Sequence, residues 1–116
     1  VSQSFGQLIR KARKDKGFSQ RELAKLLKLD FTYLSKLENN RADYAPKEGV
    51  IRLLAQYLEL DAEELVFLAG RIPERDEEFL KQNYKAMPAL FRRMQENPEF
   101  ARKIFQEATN PEKQEE

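Results

Sequence analysis

Apolar residues in this chain recur at spacings of three and four, and no stretch alternates with period two over a useful length. Every predicted element is therefore a helix. The first is expected from about Ser4 to Lys16, with Phe5, Leu8, Ile9 and Ala12 as its buried stripe and Arg10, Lys11, Lys14 and Lys16 outside it or at its borders. Gly17 is placed to end it in the left-handed conformation. The second has a strong start: Ser19 is an N-cap and Glu22, three residues on, completes a capping box, with Phe18 before the cap set to staple onto Leu23. Its buried side reads Leu23, Ala24, Leu26 and Leu27. The third follows almost at once, capped by Asp30, with Leu29 stapling onto Leu34 and with Leu34 and Leu37 facing inward. Asn39 and Asn40 suit its end, because asparagine tolerates positive φ.

Beyond a polar loop from Arg41 to Ala45, Pro46 fits the first turn of a fourth helix. Val50, Leu53, Leu54, Tyr57 and Leu58 form its core face. Asp61 caps a fifth helix with Glu64 completing another box, Leu65, Val66 and Leu68 buried, and Gly70 closing it. The domain plan is then a helical domain over 1–70, a linker over 71–75 containing Pro73, a C-terminal helical segment over 76–109, and a polar, disordered tail over 110–116. The C-terminal segment divides into helices near Asp76 to Ala86, Pro88 to Glu96 and Pro98 to Ala108. Pro88 to Met94 and Pro98 to Ile104 place a basic pair and an apolar residue at the same offsets from proline, which two such short stretches also do by chance.

Composition narrows the chemistry. The chain has 116 residues, is 41% hydrophobic and 35% charged, and holds no cysteine and no histidine. Disulfides, thiolate or imidazole metal sites and Ser–His or Cys nucleophile systems are thereby excluded. There is no glycine-rich phosphate loop, and the acidic clusters at Glu63-Glu64 and Glu74 to Glu78 fit helix N-terminal dipole compensation better than acid–base chemistry. No enzyme activity, cofactor or metal is expected. The longest apolar run, Leu65 to Ala69, falls far short of the ~20 residues that span a bilayer. The first residues lack a signal-peptide layout. A cytoplasmic protein with no membrane association is expected, which the lack of cysteine fits.

The net charge of +1 conceals an asymmetry: residues 1–47 carry 11 Lys and Arg against 5 Asp and Glu, whereas residues 48–116 carry 10 against 15. A basic front half on a near-neutral chain points to a polyanionic partner at that end. A solvated, lysine-rich helix face accounts for it equally well.

The informative stretch is Ser19 to Glu38, two capped helices joined by a turn of about three residues, which forces them to cross steeply. Small Ala24 allows close approach, and Leu29, Leu34 and Leu37 lock the pair together and onto the first helix. With the core assigned, one face of the third helix is left free, carrying Phe31, Thr32, Ser35 and Lys36, with Asn39 one turn on. The segment resembles the Cro and phage-repressor (xenobiotic-response-element) helix-turn-helix family. The matching positions are Gln20, Leu23-Ala24, Leu27, Leu29 in the turn, Leu34-Ser35, and Leu37-Glu38 followed by Asn39. The match centres on Ser19 to Asn40, and the five-helix pattern extends it to about Gly70. Lys28 and Asn40 stand where the family often has glycine; Lys28 carries a cost if its site needs positive φ.

The resemblance implies an all-α fold, a five-helix lambda-repressor-like DNA-binding domain followed by short C-terminal helices. It implies a regulator of transcription, commonly a repressor, whose third helix enters the major groove of double-stranded DNA. Base edges are then met by Asp30, Phe31, Thr32 and Lys36. Lys36 donates to guanine O6 and N7, Thr32 hydrogen-bonds or touches a thymine methyl, Phe31 offers apolar contact, and Asp30 either caps only or also accepts from cytosine N4. Phe31 folded back over the second helix is the other arrangement open to it. Phosphate contacts fall to Gln20, Arg21, Lys28, Tyr33, Ser35, Asn39, Asn40 and Arg41. The resemblance also suggests a structural ion pair between Arg13 and Glu38.

Residues 76–108 hold 5 of the 12 aromatics in a segment too short for a core of its own. Phage-type repressors usually act as dimers, so Phe79, Leu80, Tyr84, Leu90, Phe91, Met94, Phe100, Ile104 and Phe105 are expected at a homodimer interface, with half-sites of an inverted repeat ~34 Å apart. Intramolecular packing is the alternative. So is an antitoxin-like or peptidase-controlled regulator whose C-terminal helices bind a protein partner, since both occur on this scaffold.

Overall fold

A computed structural model of the chain describes residues 3–110, and every regular element in it is helical. The described residues divide into two compact units at Arg75 and Asp76. In the first, α1 is Phe5–Asp15, α2 Gln20–Leu27, α3 Phe31–Glu38, α4 Glu48–Leu58 and α5 Ala62–Leu68, with a 3-10 turn at Glu74–Asp76 across the boundary. In the second, α6 is Glu77–Gln82, α7 Met87–Glu96 and α8 Pro98–Ala108. The expected tail lies outside the described residues except for Asn110.

The ends of these helices follow from local chemistry. Ser4, Ser19 and Asp61 accept from the backbone N–H of the third helical residue at 3.2, 3.0 and 3.0 Å. Ser4 with Gln7 and Ser19 with Glu22 make full capping boxes. Asp61 makes only its own half, and the Glu64 side chain does not return to close the expected second box. Gly17 and Gly70 sit at φ +79° and +83°, a region glycine enters without Cβ strain.

The core gathers between α4 and its neighbours: α4 packs on α1, α2 and α5, while α1 and α2 both pack on α3. Ile9, Leu23, Leu34, Leu54 and Val66 are fully buried, each contributing roughly 1.5–3 kcal/mol by leaving water. On α4 the deepest positions are Ile51, Leu54, Ala55 and Leu58, and the expected Val50, Leu53 and Tyr57 flank them half-buried. Leu54 and Leu58 are thus buried as expected, while the inward arc also takes in Ile51 and Ala55, which the expected face did not include. Two expected core residues are corrected: Leu26 is 40% exposed and Leu68 39% exposed. Both helices are short, and Leu23, Ala24 and Leu27, or Leu65 and Val66, already fill the inward arc.

Pro46 does not open α4. The helix starts at Glu48, with Lys47 as N-cap. Pro46 is buried, and its carbonyl and that of Ala45 accept from the Arg71 guanidinium, the latter at 3.1 Å. The expected linker is correspondingly not slack. Pro73 is fully buried, and the Glu74 N–H donates to Glu48 Oε1 at 2.8 Å while Arg52 Nε donates to Glu48 Oε2 at 2.7 Å. Those donors, Arg52 first and then the Glu74 N–H, hold the Glu48 carboxyl below its ordinary value.

In the second unit the expected helix over Asp76 to Ala86 is only Glu77–Gln82, and residues 83–86 form turns. There Asn83 Nδ2 donates to the Phe79 carbonyl at 2.8 Å. Helices α7 and α8 pack together around Asn97, which caps α8 by accepting the Phe100 N–H at 3.1 Å, and the Arg93 guanidinium lies 4.0 Å from the Phe100 ring centroid. No described residue of this unit is buried.

Candidate nucleic-acid interface

The turn between α2 and α3 is three residues, Lys28 to Asp30. Lys28 occupies the left-handed region, φ 57° and ψ 39°, and closes α2 by donating its N–H to the Lys25 carbonyl while Leu29 donates to Ala24. A lysine there costs roughly 1 kcal/mol against glycine. The strain directs the chain into Asp30, whose carboxylate caps α3 by accepting the Thr32 N–H at 2.7 Å. The Thr32 backbone N–H first, and the Thr32 side chain second, hold the Asp30 carboxyl below its ordinary value. It is an anion and an acceptor only, suited to an amino donor and repelled by phosphate.

Helix α3 then divides cleanly. Leu34, Leu37 and Glu38 are buried. Phe31, Thr32, Lys36 and Asn39 are exposed on the other side, with Ser35 partly so. Tyr33 is half-buried against the core cluster. Asn39 turns its amide back to the Ser35 carbonyl at 2.8 Å. The Arg41 N–H donates to the Lys36 carbonyl at 2.8 Å, and the Arg41 side chain is free to reach outward from the exposed end. Lys28 is exposed in the turn.

What holds this face in place is a buried charge cluster. Glu38 accepts from Arg13 Nε at 2.7 Å, Arg13 Nη2 at 3.1 Å and Gln20 Nε2 at 2.9 Å. Arg13 Nη1 donates to the Phe18 carbonyl at 2.8 Å. One carboxylate therefore ties α1, the entry to α2 and α3 together. Arg13 is 7% and Glu38 3% exposed, and no buried side-chain polar atom lacks a partner among the described residues. Gln20, expected at a phosphate, is half-buried and turns its Nε2 to Glu38.

Asn40, although exposed, also bonds within the protein. At φ 56° it donates from Nδ2 to Ser4 Oγ at 3.0 Å and accepts the Gly6 N–H at 3.1 Å, so the end of α3 satisfies the start of α1. Gly6 makes this closeness possible. A Cβ built there falls 2.5 and 2.6 Å from the carbonyl oxygens of Leu37 and Glu38 and 2.7 Å from Asn40 Oδ1. Neither role was legible in the sequence, because the partners lie more than thirty residues apart.

Two exposed features flank α3. At its start, the Arg21 guanidinium of α2 lies 4.5 Å from the Phe31 ring centroid. The pair borders an open cleft of about 440 Å3 shared with Arg10, Ser19, Gln20 and Asn39. Beyond its end, Tyr44 is 84% exposed and lines a second cleft with Lys36 and Lys47. No sequence signal marked Tyr44 beyond its place in a polar loop. The sites expected at a dimer interface are in the second unit, where Phe79, Tyr84, Phe91, Ile104 and Phe105 are exposed and Leu80, Leu90, Met94 and Phe100 half-buried. No group of acidic side chains that would hold a metal occurs among the described residues.

Comparison with known proteins gives a family match. A family model described as a helix-turn-helix domain matches residues 6–71. Among solved structures, the SinR protein/SinI protein complex aligns at 25% identity with a TM-score of 0.49, covering 85% of this chain and 98% of that chain. No curated protein matches.

Proposed function

The chain belongs to the helix-turn-helix domain family, and we propose that it is a sequence-specific regulator of transcription that reads double-stranded DNA with α3. The observation that carries this is the division of α3: Leu34 and Leu37 are buried while Thr32 and Lys36 stand exposed on the opposite side. A major groove admits one α-helix, and residues near the N-terminus of such a helix meet base edges. Lys36 then donates to guanine O6 and N7, and Thr32 and Phe31 meet a thymine. Asp30, held ionised by its capping bonds, accepts from a cytosine amine and rejects guanine at the same place. Lys28 and Arg41, exposed on either side of α3, take phosphates, with Ser35, Asn39 and the half-buried Tyr33 at the margin.

The protein acts as a homodimer on an inverted repeat, since eight residues of one helix read too few base pairs alone. The exposed aromatics of the second unit, in which nothing is buried, supply the surface that a second copy covers. The outcome of occupying an operator is repression by exclusion of polymerase. The cytoplasm is the natural compartment, and no helix among the described residues is long and apolar enough to cross a membrane.

Selection of random duplexes by the purified protein tests this reading. A palindromic enriched site, together with a dimer in sedimentation of the full chain, is the expected result. No enrichment, or a monomer that binds a single asymmetric site, contradicts it, and a monomer that captures a different protein through residues 76–109 favours the partner-binding alternative. Lys36→Ala is expected to relax preference at one base position by ~1–3 kcal/mol. Arg41→Ala should instead weaken all duplexes alike and lower the salt slope by about 1.

A further inference from the structure

Arg21 and Phe31 lie outside the apolar core. Phe31 is 37% exposed and takes no part in the apolar cluster. Arg21 is exposed in the first turn of α2, at the positive end of the helix dipole, where a cation is unfavourable. The adjacent carboxylate, Glu22, is committed to the Ser19 N–H. The two side chains nevertheless meet across the turn, with the guanidinium carbon 4.5 Å from the ring centroid. That stack occupies the flat face of the cation and none of its five N–H donors. Among the described residues the guanidinium has no hydrogen-bond or ion-pair partner.

We infer that Arg21 reads a base: it donates bidentately to O6 and N7 of a guanine while Phe31 packs on the 5-methyl group of the pyrimidine beside that guanine. This rests on the proposal that α3 enters the major groove. A phosphate needs only charge and reach, which a mobile side chain on solvent supplies. A guanidinium laid on a ring has its plane restricted, and a restricted plane matters for two parallel hydrogen bonds to a base edge. Its position agrees. Phe31 is the first residue of α3, at the end from which base edges are reached, so the stacked cation enters with that end although α2 carries it. Arg21 thus extends the recognition surface to a base that α3 alone does not reach, and Phe31 couples it to the neighbouring base.

Competition binding with the selected duplex and its single-base variants tests this on the full chain, with circular dichroism showing that helix content is unchanged. Arg21→Lys keeps the charge and loses the planar fork. It is expected to retain non-specific affinity and salt slope while losing roughly ten-fold or more of the preference for guanine at one position. Phe31→Ala should weaken the same preference and erase the distinction between thymine and uracil at the adjacent base. If Arg21→Lys keeps the wild-type profile, and Arg21→Ala weakens every duplex equally with a lower salt slope, Arg21 is a phosphate contact and the inference is overturned. A profile relaxed by Lys36→Ala but untouched by Arg21→Lys sinks this inference alone. A wild-type protein with no base preference at all sinks the DNA reading with it.

Discussion

Replacing Glu38 with alanine is expected to lower folding stability by about 3–5 kcal/mol, a large share of the 5–15 kcal/mol typical of a small domain. The loss does not come from one contact. Glu38 receives three hydrogen bonds, two from Arg13 and one from Gln20. Removing it strands a guanidinium that is 7% exposed and keeps only the Phe18 carbonyl as acceptor. An uncompensated buried cation costs more than the pair contributes when intact. The double replacement Arg13→Met with Glu38→Leu is therefore expected to be far milder than Glu38→Ala alone, near neutral if the volume is filled. Urea unfolding checks both: the midpoint should fall sharply for the single variant at unchanged slope. A single-variant loss under about 1 kcal/mol, the range of exposed pairs, would contradict the buried-cluster reading.

Gly6→Ala should be destabilising, against the ordinary rule. In an open helix position alanine is favoured over glycine by about 1 kcal/mol. At Gly6 the added methyl meets two backbone carbonyls of α3 and the Asn40 side chain, all within 2.7 Å, and backbone cannot yield as a flexible side chain does. Helix α1 must move off the end of α3, at a cost of about 1–3 kcal/mol or more, and the Asn40 bonds to Gly6 and Ser4 go with it. Gly49→Ala is the control. Gly49 lies in the first turn of α4 with nothing within 4 Å of the added atom, so that change should stabilise by about 0.5–1 kcal/mol. Thermal unfolding of the two variants should shift in opposite directions, and a shared direction would mean that α1 and α3 are not in such close approach.

These two predictions mark where the sequence was readable. The caps at Ser19 and Asp30 and the left-handed glycines were legible because each depends on partners within one turn, and the inward Leu34 and Leu37 because their helical spacing marks one apolar face. The Arg13–Glu38 pair came from resemblance, not from spacing. The roles of Gln20, Asn40 and Gly6 were hidden because they are tertiary: each is defined by a partner 18 to 36 residues away. Leu26 and Leu68 misled because an apolar residue beside a filled inward arc carries the same periodicity as one within it. Pro46 misled for another reason. A proline suits a helix start, but here its carbonyl serves Arg71 and the helix waits until Glu48.

The division of α3 into a buried and a free face is tested most directly by methylation interference on the selected duplex. Methyl groups at guanine N7 lie in the major groove, and those at adenine N3 in the minor groove. Interference confined to N7 of guanines within the half-sites, with one guanine of each half-site losing its effect in Lys36→Ala, is the expected result. Interference at adenine N3 alone, or binding indifferent to both, would place α3 outside the major groove.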